Sequence, residues 1–214
     1  MDAAHLEDRV KWGLNVAARA TGATADAYRP RGIRDPLARG NRFLRLPAAF
    51  NNIHGGFSRP NLYGNALWHG IFDAIYTRPG DYLVQGDAVW FIASQERLSP
   101  VLCVRANRII TFKRLAAQTG TGANNYGGVT ATNTNVLIAG WPASVLAASG
   151  SAKPLVNLPT DSPVPYWTVL VPASHGVVLN RTDLMSDDLG RTAIVSETEL
   201  TDLGWRLTVK QVTT

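Results

Sequence analysis

The feature that most constrains this chain is a series of short apolar runs, rich in β-branched and aromatic residues and bounded by turn residues, that begins near Asp81. YLV at 82–84, a turn at Gly86 and Asp87, VWFIAS at 89–94, VLCVRA at 101–106 and RIITFKR at 108–114 predict a compact antiparallel unit, with Pro100 in a connection. A second set follows: NVLIAGW at 135–141, YWTVLVP at 166–172, GVVLN at 176–180, RTAIVSETEL at 191–200 and WRLTVKQV at 205–212. Runs this short and this regularly interrupted fit an antiparallel barrel or sandwich. The 214 residues can build one large β domain or two small ones, and a chain of this size makes a core without disulfides or a structural metal.

The residues before Asp81 read differently. Over 2–20, Leu6, Val10, Leu14, Ala17 and Ala18 recur at three- and four-residue steps, which predicts a helix capped by Asp2 and ended by Gly22. From 21 to 79 the periodicity fades among Pro30, Pro36, Pro47, Pro60 and Pro79, and only NALWHGIFDAIY at 65–76 looks able to form a short regular element. Yet Phe43, Leu44, Phe50, Trp68, Ile71 and Phe72 are too many apolar groups for a disordered linker. They need burial against the protein's own β body or against another subunit.

The fold expectation is therefore mainly β: an antiparallel β-barrel or sandwich body with an N-terminal helix and a long irregular arm. The boundaries expected are helix and docking arm over 1–80, a first β unit over 81–148, and a second over 149–214 packed on the first. IASQERLSPVLCV at 92–104 and IVSETELTDLGWRLTV at 194–209 look alike, with about three residues inserted in the second. Hairpin chemistry arrived at separately explains this more simply than a structural repeat does.

Charge is concentrated. Up to Pro60 there are ten basic residues against five acidic ones, and from Asn61 onward eleven against eleven, so the net charge of +5 belongs to the first part of the chain. Its focus is RPRGIRDPLARGNRFLR at 29–45, where Arg29, Arg31, Arg34, Arg39, Arg42 and Arg45 face a single Asp35. The planar guanidinium donates paired hydrogen bonds to carboxylate or phosphate. A solvated loop, an acidic protein partner and nucleic-acid phosphate are the open readings; the acidic partner is favoured, because no DNA- or RNA-binding motif accompanies the arginines.

Catalytic motifs are not met. GTGANNYGG at 120–128 has neither dinucleotide nor P-loop spacing. His54 in HGG, and Ser174 beside His175, lack a nucleophile elbow, and on a strand neighbouring Ser and His side chains would point apart. The four histidines show no ligand spacing, and Asp183, Asp187 and Asp188 read as a solvated turn. Cys103, the single cysteine, sits in an apolar run and reads as a buried hydrophobe. The expectation is no enzymatic activity, no cofactor and no metal. No apolar stretch reaches the roughly 18 residues of a membrane span, and acidic residues occupy the place of a signal peptide's basic start, so no membrane association is expected.

Three stretches, AHLEDRVKWGLNVAARATGATADAYRP, LWHGIFDAIYTRPGDYLVQGDAVWFIASQERLSPVLCVRANR and DDLGRTAIVSETELTDLGWRLTVKQ, resemble a family of virion structural proteins of proteobacterial tailed phages and prophages. The hairpin segments GDYLV…WFIA and DLGRTAIVSETE…GWRLTV are also similar to the small β-barrels of head-tail connector, adaptor and stopper proteins. The resemblance implies a ring-forming neck or tail component of the virion, assembled in the host bacterial cytoplasm. It also implies homo-oligomeric contacts, portal, neck or tail neighbours, and at most non-specific contact with DNA. The alternatives are a nucleic-acid-binding module using residues 29–45 and a small virion-associated enzyme.

Overall fold

A computed structural model describes residues 2–52, 65–115, 134–147 and 165–212. Helix α1 (Ala3–Thr21) leads into β1 (Ala23–Tyr28), β2 (Arg42–Asn52), β3 (Leu67–Phe72), β4 (Tyr82–Gln85), β5 (Ala88–Ser94) and β6 (Val101–Ala106). Then come β7 (Arg108–Leu115), β8 (Thr134–Ala147), β9 (Tyr166–Val171), β10 (Leu184–Asp187), β11 (Thr192–Thr201) and β12 (Gly204–Gln211). The strands close into two antiparallel barrels, one in the order β1-β2-β3-β6-β5-β4 and the other β7-β8-β9-β12-β11-β10. Closure pairs every strand on both sides, which removes the open edges a small sheet would expose.

The fold is mainly β with an N-terminal helix, as expected, but its internal boundaries differ from those read in the sequence. The described residues of 21–79, which are 21–52 and 65–79, are not an arm beside the body: they supply β1, β2 and β3 of the first barrel. The junction falls at Asn107 rather than near 80 or 148, because β6 runs straight into β7 and β7 closes the second barrel. Asn107 splices the two. Its backbone N–H donates to Ala143 O at 3.0 Å, its amide donates to Val145 O at 2.9 Å, and its side-chain oxygen accepts from Val145 N at 2.8 Å.

Strands β1 and β2 escaped recognition because the first barrel is lined by small residues on that side. Ala25, Ala27 and Ala48 are fully buried opposite Phe72, Leu83, Trp90 and Ile92, so little strand signal survives in the sequence. Pro47 lies inside β2, but β2 pairs with β3 only from Ala48 onward, so the absent N–H costs no ladder bond there.

Alternation along β4 to β6 divides side chains between two cores. Leu83, Trp90, Ile92, Val101 and Cys103 point into the first barrel, whereas Tyr82, Phe91, Ala93 and Val104 join the core of the second. Tyr82 carries most of this junction. It lies edge-on to Trp141 with centroids 6.0 Å apart, and its hydroxyl donates to Pro142 O at 2.7 Å. The strand pattern predicts that Trp90, Phe91, Val101, Leu102, Val104, Ile194, Trp205 and Leu207 mostly face one shared interior. There are two interiors, and all of these residues are buried in one or the other except Leu102, partly buried against the second, and Ile194, half-buried and in neither.

Helix α1 packs on β2 and β3. Gly22 ends it, though in an extended conformation (φ −88°) and not the left-handed one common at helix ends. Its need for glycine is proximity: a Cβ there would stand 2.5 Å from the Ala48 carbonyl oxygen. GVVLN is no strand; it follows a 3-10 turn at Ala173–His175 and buries Leu179 under the second barrel's core.

Candidate partner-binding surface

The six arginines of residues 29–45 divide into two groups. Arg29 forks onto Asp81, with Nε donating at 2.9 Å and Nη2 at 2.7 Å, donates also to Tyr76 O, and lies 4.4 Å from the Phe43 ring centroid. Arg45 forks onto Asp26, its cross-strand neighbour, at 2.7 and 3.1 Å, and Arg42 reaches the same carboxylate at 3.1 Å. The Arg45 hydrogen bonds, helped by Arg42 and opposed by partial burial, hold the Asp26 carboxyl below its ordinary value. These three arginines are internal ties.

Arg31, Arg34 and Arg39 are exposed and have no side-chain partner among the described residues. The loop that carries them is nevertheless fixed. Ile33 O accepts from Ala139 N at 2.9 Å and from Trp141 Nε1 at 3.0 Å, and Asp35 N donates to Ala139 O at 2.9 Å. Asn41, buried, donates its amide to the carbonyls of Asp35 and Pro36, while Arg29 N donates to Asn41 O. A loop of the first barrel is thereby pinned to β8 of the second and presents three free cations on a preset backbone.

Asp183 and Asp187, expected in a solvated turn, are buried anchors. Arg114 forks onto Asp183 at 2.7 and 2.9 Å and donates to Val178 O at 2.9 Å. This repeats the Arg29 site atom for atom: Arg78 N donates to Asp81 as Asn180 N donates to Asp183, and Tyr76 O takes the place of Val178 O. The preceding residue has positive φ in both, Gly80 at 91° and Thr182 at 73°. Ile92 exchanges backbone bonds with Gly80 and Asp81 as Val195 does with Thr182 and Asp183, and a bulge follows each, at Ile92/Ser94 and Val195/Glu197.

The likeness between residues 92–104 and 194–209 therefore belongs to a structural repeat, contrary to the expectation of independent hairpins. The strand orders of the barrels coincide, and β5–β6 corresponds to β11–β12. The true register pairs Ile92 with Val195, one residue off the alignment the sequence suggests, since both cross to interior partners, Cys103 and Val209.

Ser174 lies in a 3-10 turn, not on a strand, and its hydroxyl donates to Gly80 O at 3.2 Å. Cys103 is fully buried, and burial pushes its thiol well above the ordinary range. His54 and residues 120–128 lie outside the described residues. Among the described residues no three His, Cys, Asp or Glu side chains gather as a metal site, and no helix is long and apolar enough to cross a membrane.

Two further surfaces were not visible in the sequence. Along α1, His5, Arg9, Trp12, Val16 and Arg19 form an exposed stripe in which Trp12 is 70% accessible. Between the barrels, Leu67, Phe91, Ala93, Val104, Leu170 and Trp205 line a cleft of about 280 Å³ that ends at the β11–β12 turn. Comparison of the chain with protein-family models, curated proteins and solved structures found no match.

Proposed function

We propose that this chain is a phage virion structural protein, a ring-forming component of the neck or tail of the head-tail connector or adaptor kind, working through surfaces rather than through catalysis. The observation that carries the assembly role is the pinned loop of Arg31, Arg34 and Arg39. Because the backbone that carries these guanidinium groups is already fixed, docking costs only their side-chain freedom and not the ordering of the loop, so such a loop favours a specific acidic surface over diffuse solvation. Its tethering to the second barrel joins the docking surface to the whole body. That the assembly is a phage particle rests on the resemblance of the helix, the β4–β6 region and the β11–β12 hairpin to virion proteins.

The test is a triple change, Arg31, Arg34 and Arg39 to Gln, beside a control at Arg181, which is exposed and lies elsewhere. The triple variant is expected to fold normally and to enter particles poorly, with residual docking that weakens as salt rises; exposed charge contacts are screened beyond about 8 Å at physiological ionic strength. Normal incorporation would refute the assembly role of the loop. Tight binding of the purified protein to unrelated duplex DNA at physiological salt would instead favour a nucleic-acid module.

A further inference from the structure

We infer that α1 of one copy docks in the inter-barrel cleft of the next, with Trp12 as the inserted side chain; this rests on the ring reading above and names the contact that would build the ring. A heterologous ring contact needs two different surfaces of the same molecule that complement each other. Among the described residues, α1 offers a convex apolar site and the inter-barrel cleft a concave one. Trp12, 70% exposed, stands beside Val16 one turn on, at 46%, and such an indole in water is the residue type most enriched in interface hot spots. The helix is held by its other face, where Ala18 is buried and Asn15 donates to Asp73, so the stripe is not needed for its own packing.

The cleft is the matching half. Its lining is mainly apolar, and at about 280 Å³ it is just below the roughly 300–1,000 Å³ of small-molecule sites, a size suited to one large side chain. Charge agrees as well. Asp202, on the cleft rim beside Leu203, is exposed and has no partner among the described residues. Arg9 lies three residues before Trp12, exposed and equally unpartnered. Positions three apart on a helix are neighbours at about 5–6 Å, so an indole seated against Leu203 brings the Arg9 guanidinium to Asp202.

The experiment uses the full chain in two variants with one added cysteine each, Arg9→Cys and Asp202→Cys, which keep Trp12 and Leu203 in place; native Cys103 is fully buried. Mixed under mild oxidation, they are expected to give a disulfide-linked heterodimer joining positions 9 and 202. Light scattering of the unlinked protein is expected to show self-association that Trp12→Ala weakens by at least about 30-fold, the scale of a hot-spot truncation. Asp202→Arg should weaken it too, and Arg9→Asp in the mixed partner should restore it. Rings that form undiminished in Trp12→Ala, with no 9–202 cross-link between the cysteine variants, overturn this contact and leave the ring reading standing. A chain that stays monomeric at every concentration overturns both. Unchanged self-association with lost particle entry in Trp12→Ala would assign the helix stripe to another partner, and so overturn the self-docking.

Discussion

The paired clamps Arg29–Asp81 and Arg114–Asp183 allow a sharp test, because their two ends differ in exposure. The aspartate side chains are 1% accessible, whereas Arg29 and Arg114 are 31% and 38% accessible. Removing the arginine leaves a carboxylate sealed from water; removing the aspartate leaves an arginine that can turn to solvent. Stripping one partner from a buried pair costs about 3–5 kcal/mol, and Arg114→Ala belongs in that range. Asp183→Ala is expected to cost less, about 2 kcal/mol, mainly for the Asn180 N–H left without its acceptor, since the partly exposed guanidinium regains water. The double variant should cost less than the sum of the singles, because the pair acts as one unit. Urea unfolding followed by tryptophan fluorescence measures all three. If Arg114→Ala costs under about 1 kcal/mol, or less than Asp183→Ala, the carboxylate is not the element that needs compensation and the reasoning fails. The same order of effects is expected at Arg29 and Asp81.

Three further predictions follow from particular sites. Burial would raise the Asp187 carboxyl, but the Arg191 side chain and N–H, at 2.7 and 2.9 Å, together with the Leu189 N–H, outweigh it and hold it below its ordinary 3.8. Its stabilisation is therefore complete above pH 3.8 and lost as pH falls through the lower folded value, so unfolding midpoints measured down to pH 2 should drop over that window, and Asp187→Asn should flatten the drop. Gly80→Ala must adopt φ +91° with its Cβ 2.5 Å from that of Ser174, and should cost about 2–4 kcal/mol, clearly more than the same change at Gly86, where a Cβ meets nothing. Trp205→Ala, at a core position 7% exposed, should destabilise by about 3–5 kcal/mol in the same unfolding assay.

The legible part of this fold is the part where strands are built from large apolar residues. β5, β6 and β7 fall within a residue of the runs read from the sequence, and β12 within one at each end. β1 and β2 were hidden because Ala25, Ala27 and Ala48 line the barrel where Val or Ile would advertise a strand, and because prolines punctuate the loops between. β10 was hidden by its acids: Asp183 and Asp187 resemble a turn until their arginines are known to lie 69 and four residues away. The same long-range pairing divides the arginine segment. Nothing in the order of residues 29–45 distinguishes Arg29, tied to an aspartate 52 positions on, from Arg31, which has no tie among the described residues. Trp12 was passed over because it falls off the apolar stripe that the helix uses for its own packing.

The structural repeat shows why so little of it survives as sequence likeness. Corresponding interior positions have diverged in size, Ala25 against Ile110, Ala27 against Phe112 and Leu46 against Trp141, so each barrel is filled by a different set of volumes. At the corresponding outward positions Tyr82, Phe91 and Val104 of the first barrel match Leu184, Ile194 and Lys210 of the second, so two positions stay apolar and the third becomes charged. The first set must be apolar because it packs into the second barrel's core, and the second set has no third barrel to cover it. What both barrels keep is what the backbone requires: an arginine at the end of the first strand, a buried aspartate before the fourth strand, a residue of positive φ ahead of it, and a bulge in the fifth. Lys210, where the first barrel has the buried Val104, sets a charge into the face that would have to be apolar for the stack to grow by the contact that joins the two barrels. In the ring proposed above the copies would instead meet through α1, which packs on β2 and β3 of the first barrel and exposes Trp12.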